Sequence, residues 1–307
     1  MPRVLLTGGS GMVGKNLLAH ERPDNLEFIA PDSSKLNLLN FDQTEAFLKR
    51  EKPDIIVHAA GVVGGIQANI ANPVRFLTDN WNMGSNLITA ARSAGVPQLL
   101  NIGSSCMYPK DQDTPLKEAQ VLSASLEPTN EGYALAKCAV ARLCEYIVRE
   151  TPEFQYKTII PCNLYGRFDK FDPAVSHLVP AVIRKIHQAT LAKNKTVEIW
   201  GTGEARREFM FAEDLADAIV FFLGKFEKLP AIANVGVGKD FTINEYYEIA
   251  SNVIGYSGKF THDLTKPVGM KRKLLDVSLQ SEMGWKPKTS LNDGICQAYE
   301  YFLSLGE

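Results

Sequence analysis

A tyrosine and a lysine four residues apart, Tyr133 and Lys137, form a pair that suits proton transfer. On a helix this spacing places both side chains on one face, one turn apart. A phenol ordinarily has a pKa of about 10, and a neighbouring ammonium is expected to favour the phenolate and bring that pKa closer to neutral. Such a pair suits proton transfer to or from an alcohol or sugar oxygen. The spacing alone is weak evidence, because exposed helical tyrosines and lysines are common.

A glycine-rich turn near the start of the chain indicates nucleotide binding. Residues 4–7 form a short apolar run typical of a buried strand, and a helical pattern follows through Leu17 and Leu18. A turn between strand and helix lets a pyrophosphate approach the backbone and meet the N–H groups of the helix. The residues expected to bind the cofactor here are Gly8, Gly9, Ser10, Gly11, Met12, Val13 and Gly14.

The residues after a second predicted strand, 26–30, are expected to select the cofactor, because they face the adenosine ribose. Asp32 would bind the ribose hydroxyls and favour NAD. Ser33, Ser34 and Lys35 would instead hold a 2′-phosphate and favour NADP. The signal is mixed, so NADP(H) is expected and NAD(H) stays open.

Further strands and helices alternate along the first half of the chain. Residues 54–61 predict a strand that ends in Ala59 and Ala60, where a cofactor could lie against the backbone. Residues 73–94 predict a long helix, and residues 98–103 a strand that ends at Ser104. Strands alternating with helices predict a doubly wound parallel sheet, with ligands at the carboxyl ends of its strands. Ser104 is therefore expected to join Tyr133 and Lys137.

In the second half of the chain, strands and helices alternate less regularly, and this pattern predicts a smaller α/β lobe. We expect a nucleotide-binding domain over residues 1–164, with a returning segment near 205–235, and a second lobe over 165–307. Lys185, Arg207 and Lys273 could bind a diphosphate, although each by itself is more often a solvated charge.

Composition excludes several classes of function. The chain has 307 residues and a net charge of -2, which gives no reason to expect nucleic acid or an anionic membrane as a partner. No apolar run is long enough to cross a bilayer, and the first residues lead directly into a strand, which argues against a signal peptide. The five cysteines are scattered without a Cys-x-x-Cys pair, so no metal site is expected and a reducing cytoplasm fits best.

Taken together, the glycine turn, Ser104 and Tyr133-x-x-x-Lys137 resemble the extended short-chain dehydrogenase/reductase superfamily over nearly the whole chain. Within it, the sequence is similar to the GDP-L-fucose synthase family. The matching stretches are residues 63–66, 103–109, 127–131, 163–166, 176–177 and 272–277.

This resemblance implies a Rossmann-like fold and a set of roles. Ser104, Tyr133 and Lys137 match the group that reduces a 4-keto sugar, and Cys106 and His177 match the acid/base pair that epimerises C3 and C5. Residues implied to contact the cofactor include Lys137, Pro161, Asn163, Leu164 and His177, and those implied to bind the GDP-sugar are Asn163, Lys185, Trp200, Arg207 and Lys273.

The resemblance also implies a homodimer, in which the helix over residues 73–94 and the helix carrying Tyr133 pair across a two-fold axis. Both segments hold more apolar residues than one core-facing stripe needs, including Leu87, Ile88, Ala139, Leu143 and Ile147.

Two other functions stay open at this point. One is a single-function 4-reductase or 4-epimerase on a related deoxy or heptose nucleotide sugar, which needs Ser104, Tyr133 and Lys137 but no partnership of Cys106 with His177. The other is a cofactor-bound scaffold protein without activity, against which the intact Ser-Tyr-Lys group argues. Residues 167–170 also depart from the usual family pattern. Lys185 departs from it as well, because an arginine is common at that position in the family.

Overall fold

The computed structural model describes residues 1–21, 26–112, 115–173, 175–266 and 270–306. Its strands are β1 (Arg3–Thr7), β2 (Glu27–Ile29), β3 (Ile55–His58), β4 (Gln98–Ile102), β5 (Gln155–Pro161), β6 (Asn163–Tyr165), β7 (Thr196–Trp200), β8 (Arg206–Arg207), β9 (Phe209–Phe211), β10 (Ile232–Val235), β11 (Phe241–Thr242), β12 (Lys259–Asp263) and β13 (Arg272–Lys273). Its helices are α1 (Met12–Ala19), α2 (Phe41–Glu51), α3 (Ile66–Ala71), α4 (Pro73–Ser93), α5 (Glu131–Glu150), α6 (Leu178–Leu191), α7 (Ala212–Leu223), α8 (Ile243–Ile254), α9 (Ser278–Glu282) and α10 (Leu291–Ser304).

Six of these strands form one parallel sheet in the order β10-β5-β4-β3-β1-β2. The strand order reverses between β1 and β3, which is where such sheets bind ligands. The predicted doubly wound parallel sheet is confirmed, and it is Rossmann-like.

Helices cover both faces of this sheet, which explains why its central strands are apolar on both sides. Val4 and Leu6 pack on one face with residues of α7, whereas Leu5 packs on the other with residues of α2 and α4. On that second face α4 and α5 lie close together, because Gly84 leaves room for Val140; a Cβ at Gly84 would lie 2.4 Å from Val140 Cγ2. Close packing against α4 fixes the position of α5, which carries Tyr133 and Lys137.

A second core lies outside the sheet, in the α/β lobe built mainly by α6, α8 and α10. Its buried residues include Val182, Ile186, Tyr246 and Phe302. Short strands complete this lobe, in the pairings β11-β8-β13, β12-β7 and β6-β9. After β9 the chain returns to the large sheet, where α7 packs beside α1 and β10 pairs with β5.

The residues at the helix ends explain where several helices begin and end. α4 begins at Pro73, whose ring suits the first helical turn, and Gly95 follows its end with a φ of 71°. Thr242 and Glu245 form a capping box at the start of α8. Within the described residues, no helix combines the length and apolar character needed to cross a membrane.

Candidate active site

The glycine turn lies at the point where the strand order reverses, and it requires residues without side chains. Gly8 has a φ of 76°, and a Cβ there would lie 2.6 Å from the backbone nitrogen of Ala60. A Cβ on Gly14 would lie 2.2 Å from the carbonyl oxygen of Gly8. Gly11, at the start of α1, offers no side chain to its first N–H groups. The turn therefore fits the pyrophosphate of a dinucleotide.

A cavity of about 1020 Å³ extends from this turn into the second lobe. The predicted site residues that line it are Gly8, Gly9, Ser10, Gly11, Met12, Val13, Ala59, Ala60, Ser104, Cys106, Tyr133, Lys137, Pro161, Asn163, Leu164, His177, Lys185, Trp200, Arg207 and Lys273. Residues more than 260 positions apart in sequence thus meet around one space.

Three of the predicted site residues are not part of the cavity wall. Gly14 lies behind the turn, where it permits close packing. Ser34 and Lys35 lie outside the wall because their loop turns around Asp32: the Asp32 carboxylate accepts hydrogen bonds from Ser34 Oγ at 2.6 Å and from the Lys35 N–H at 3.2 Å. These bonds hold the pKa of Asp32 below its usual range. Asp32 and Ser33 themselves do line the cavity.

Ser104, Tyr133 and Lys137 form one group at the carboxyl end of β4. The Tyr133 hydroxyl hydrogen-bonds to Ser104. Lys137 is buried, donates to the carbonyl oxygen of Ile102 at 2.9 Å, and places Nζ 5.8 Å from the centre of the Tyr133 ring. Burial lowers the pKa of Lys137 to about 8.

The electrostatics of Tyr133 differ from the expectation drawn from its spacing to Lys137. Burial raises the pKa of Tyr133, Cys106 adds to that increase, and only the hydrogen bond with Ser104 opposes it. Burial therefore outweighs any help from the lysine, whose ammonium is directed at Ile102. A phenol with a raised pKa holds its proton at neutral pH, so the arrangement suits a proton donor.

Cys106 lies two residues beyond Ser104, in a 3₁₀ turn over Ser105–Met107. The backbone N–H of Cys106 donates to Ser104 Oγ at 3.2 Å, which ties the thiol to the Ser-Tyr-Lys group. Two donors reach the sulfur itself: Asn130 Nδ2 at 3.1 Å and Lys273 Nζ at 3.6 Å. The first comes from the start of α5 and the second from β13 in the second lobe.

His177 lies on the second-lobe side of the cavity, at the residue before α6. Its side chain lines the cavity and stays exposed to that space. Burial lowers the pKa of His177, and the charges of Lys273 and Lys170 lower it further. Lys273 therefore acts electrostatically on both Cys106 and His177.

The remaining predicted residues surround the far end of the cavity. Lys185 donates to the carbonyl oxygen of Glu198, and burial lowers its pKa. Arg207 donates to the carbonyl oxygen of Arg206 at 2.8 Å. Trp200 stays 44% exposed at the cavity wall, with Lys266 Nζ 5.8 Å from its ring centre. An exposed indole beside cationic groups offers a stacking surface next to a place for phosphates.

Neither Asn130 nor Asp240 was predicted from the sequence as part of the site. Asn130 stands directly before α5, where an asparagine is usually explained as a helix cap. Asp240 binds Arg206 and Arg272, which precede Arg207 and Lys273 on β8 and β13. No group of three or more metal-ligating side chains occurs among the described residues.

A Rossmann-like sheet with a glycine turn at its switch point and a Ser-Tyr-Lys group beside it defines an NAD(P)-dependent enzyme of the short-chain dehydrogenase/reductase type. The family model described as the NAD dependent epimerase/dehydratase family matches residues 4–236. The chain belongs to this family.

Comparisons with known proteins narrow the class further. A GDP-L-colitose synthase from Yersinia pseudotuberculosis is 56% identical over 98% of this chain and 98% of its own length. A GDP-L-fucose synthase from Azorhizobium caulinodans is 50% identical over 99% of this chain and 97% of its own. Among solved structures, a GDP-mannoheptose C4 reductase from Campylobacter jejuni with NADP bound shares 29% identity and a TM-score of 0.87, with 98% of each chain covered.

Proposed function

We propose that this enzyme converts GDP-4-keto-6-deoxy-D-mannose to GDP-L-fucose by 3,5-epimerisation followed by NADPH-dependent reduction at C4. The observation that carries the proposal is the placement of Cys106 beside Ser104, Tyr133 and Lys137 in the cavity that His177 also lines. Reduction alone would need only Ser104, Tyr133 and Lys137. The 50% identity to a GDP-L-fucose synthase supports the same substrate.

The proposed chemistry begins with the acidity of the sugar. A 4-keto group makes the hydrogens on C3 and C5 acidic, because the carbanion delocalises into the carbonyl. Cys106 and His177 then act as the base and acid that remove and return these protons on opposite faces of the ring. They approach from the two lobes, which gives access to two faces.

Reduction at C4 follows in the same cavity. NADPH, when bound, supplies the hydride. Tyr133 donates its proton to the oxygen on C4 as charge develops there, and Ser104 hydrogen-bonds that oxygen. Lys137 holds a positive charge beside this group and, by the family resemblance, contacts the nicotinamide ribose.

NADP(H) is the proposed cofactor. The glycine turn fits a pyrophosphate, and the solved GDP-mannoheptose C4 reductase of the comparison contains NADP. Asp32 at the cavity wall is the one residue that argues for NAD(H), because its charge would repel a 2′-phosphate. At the other end, Lys185, Arg207 and Lys273 are proposed to bind the diphosphate, Trp200 the nucleobase, and Asn163 the sugar.

GDP-L-colitose formation is the second candidate, favoured by the 56% identity to a GDP-L-colitose synthase. Colitose is the sugar that fucose becomes when its 3-hydroxyl is removed. Its 4-keto precursor has no stereocentre at C3, so only C5 would be epimerised. The same Cys106 and His177 would serve either substrate.

One experiment in D₂O tests the proposal. Enzyme, NADPH and GDP-4-keto-6-deoxy-D-mannose are incubated, and the product is analysed by NMR and mass spectrometry. The proposal expects GDP-L-fucose carrying solvent deuterium at C3 and C5. Product that carries no solvent deuterium at C3 or C5 would mean that the enzyme only reduces C4. Parallel incubation with the 3-deoxy ketone measures the preference between the two candidates by kcat/KM.

Two variants assign the epimerisation. Cys106→Ser and His177→Gln are each expected to block the exchange of the C3 and C5 hydrogens with solvent. With a pre-epimerised ketone, Cys106→Ser should still reduce C4, because Tyr133 and Ser104 remain. Equal loss of exchange and reduction in Cys106→Ser would argue against separate roles.

A homodimer is also proposed, with α4 and α5 at its two-fold axis. Leu87, Ile88 and Ile147, which were expected at this interface, lie buried in the core of the protomer instead. Other apolar side chains are exposed on the same two helices and support the pairing: Val74, Leu77 and Trp81 on α4, and Leu135 and Tyr146 on α5. A reducing compartment such as the cytoplasm is proposed from the five free cysteines.

A further inference from the structure

Asn130 occupies a helix-capping position without capping the helix. It is the residue before α5, and its side chain accepts no hydrogen bond from the first turn. By contrast, Asn40, Thr242 and Ser290 each cap their helices with a side-chain oxygen. An asparagine cap ordinarily stabilises its helix, and Asn130 forgoes that contribution. A locally favourable interaction given up beside a cavity is often a sign of function.

The Asn130 amide is directed at Cys106 instead. Nδ2 lies 3.1 Å from Cys106 Sγ, and Oδ1 is shielded and has no hydrogen-bond partner among the described residues. Lys273 Nζ reaches the same sulfur at 3.6 Å. The sulfur thus receives donors from both lobes.

We propose that Asn130 is a positioning residue for Cys106, holding the sulfur beside the sugar and stabilising it when it carries negative charge. The inference rests on the proposed epimerase function of Cys106. Asn130 stands three residues before Tyr133 at the start of one helix, so it also fixes the thiol relative to the phenol that serves reduction.

The proton transfer explains why a donor is needed. When Cys106 acts as base, a sugar C–H bond breaks and an S–H bond forms. The electron pair stays on the sugar as an enolate, and the negative charge leaves the sulfur. When Cys106 acts as acid, its S–H bond breaks, the proton forms a C–H bond with the electron pair of the enolate, and the negative charge appears on the sulfur. Whether Cys106 acts as base or as acid, its sulfur carries negative charge either before or after the proton transfer. An N–H donor stabilises the sulfur in that charged state.

Replacement of Asn130 by aspartate distinguishes a helix-capping role from a positioning role for this residue. Aspartate is as good a helix cap as asparagine and has nearly the same shape, so a capping role predicts no loss in Asn130→Asp. The positioning role predicts a large loss, because the carboxylate cannot donate to Sγ and repels its charge. Asn130→Ser is the second variant, in case the aspartate disturbs folding. Asn40→Asp, at a helix start where the side chain does cap, is the matched control.

Two measurements test the proposal. The first is the rate of deuterium incorporation at C3 and C5, relative to reduction of a pre-epimerised ketone. We expect Asn130→Asp to slow incorporation by about tenfold to a hundredfold and reduction much less, as for the loss of one hydrogen bond to a charged group. Asn40→Asp should change neither rate.

The second measurement needs no substrate: the rate at which iodoacetamide alkylates Cys106 at fixed pH, followed by peptide mass spectrometry. Slower alkylation in Asn130→Asp and Asn130→Ser than in Asn40→Asp supports the contact. Alkylation equal to that of the control, together with unchanged incorporation, overturns the proposal. If the wild-type enzyme incorporates no deuterium, the proposed epimerase function fails, and the alkylation rates still decide whether Asn130 holds the thiol.

Discussion

Arg207 and Lys273 lie opposite each other on the paired parallel strands β8 and β13. Both line the cavity, whereas their neighbours Arg206 and Arg272 bind the buried carboxylate of Asp240. Because successive side chains of a strand point to opposite faces, Asp240 fixes both strands from the side away from the cavity. One carboxylate thus sets the position of two cations that belong to distant parts of the sequence.

Asp240→Ala should therefore weaken binding of the GDP-sugar more than it slows the chemistry. We expect KM for the nucleotide sugar to rise by roughly tenfold, with kcat changed less than about threefold, since loss of binding common to ground and transition states acts on KM. Steady-state kinetics measure both. Asp217→Ala is the control, because Asp217 binds Trp285 and Lys288 away from the cavity. A fall in kcat with unchanged KM would contradict this role.

Tyr133→Phe should abolish reduction while cofactor binding stays near normal. The raised pKa of Tyr133 makes it a proton donor, and loss of one positioned donor costs on the order of a hundredfold or more in rate. NADPH oxidation with a pre-epimerised ketone measures the first effect, and fluorescence titration of the cofactor measures the second. A variant that kept most of the reductase activity would remove Tyr133 from the reaction.

The pH dependence of reduction should report Lys137. Its pKa is lowered to about 8, so its ammonium is charged below that pH and loses its charge above it. We expect kcat/KM for reduction to fall as the pH rises through about 8. Tyr133 cannot cause this decline, because its raised pKa keeps it protonated there. Lys137→Arg keeps its charge at every accessible pH and should lack the decline, even if its overall rate is lower. The same decline in Lys137→Arg would assign it to another group.

Cofactor preference should depend on Asp32 more than on Lys35. The wild-type enzyme is expected to bind NADPH more tightly than NADH. Asp32→Asn should increase the preference for NADPH by several-fold, because it removes a negative charge from the cavity wall. Lys35→Ala is the companion variant and should have little effect, since Lys35 lies outside that wall. Titration of both cofactors measures the ratio, and a large loss of NADPH binding in Lys35→Ala would show that its loop moves onto the cofactor.

The association state should depend on the exposed face of α4. Trp81 is 37% exposed there, on the same stripe as Val74 and Leu77. Sedimentation of the 33.9 kDa chain at micromolar concentration should show a dimer, and Trp81→Arg should shift it toward monomer. Leu191→Arg is the control, because Leu191 is 71% exposed at the end of α6 and should leave the dimer intact. A monomeric wild-type protein would contradict the proposed interface.

Local sequence determined the features that depend on neighbouring residues. The strand, glycine turn and helix at the start of the chain follow from a few residues in a row, and so do the bounds of α4. The spacing of Tyr133 and Lys137 already places them on one helical face. The parallel sheet could be predicted as well, because alternating strands and helices allow few other arrangements.

Tertiary structure decided which distant residues meet and how burial changes them. Lys273 reaches Cys106 across 167 positions, and no local pattern indicates that contact. Sequence suggested a 2′-phosphate contact for Ser34 and Lys35, and a lowered pKa for Tyr133. Packing directed the Asn130 amide at a thiol, turned the loop of Ser34 around Asp32, and buried the phenol so that its pKa rises. These outcomes depend on which neighbours surround a side chain and how much water it loses, and both are set only when the whole chain has folded.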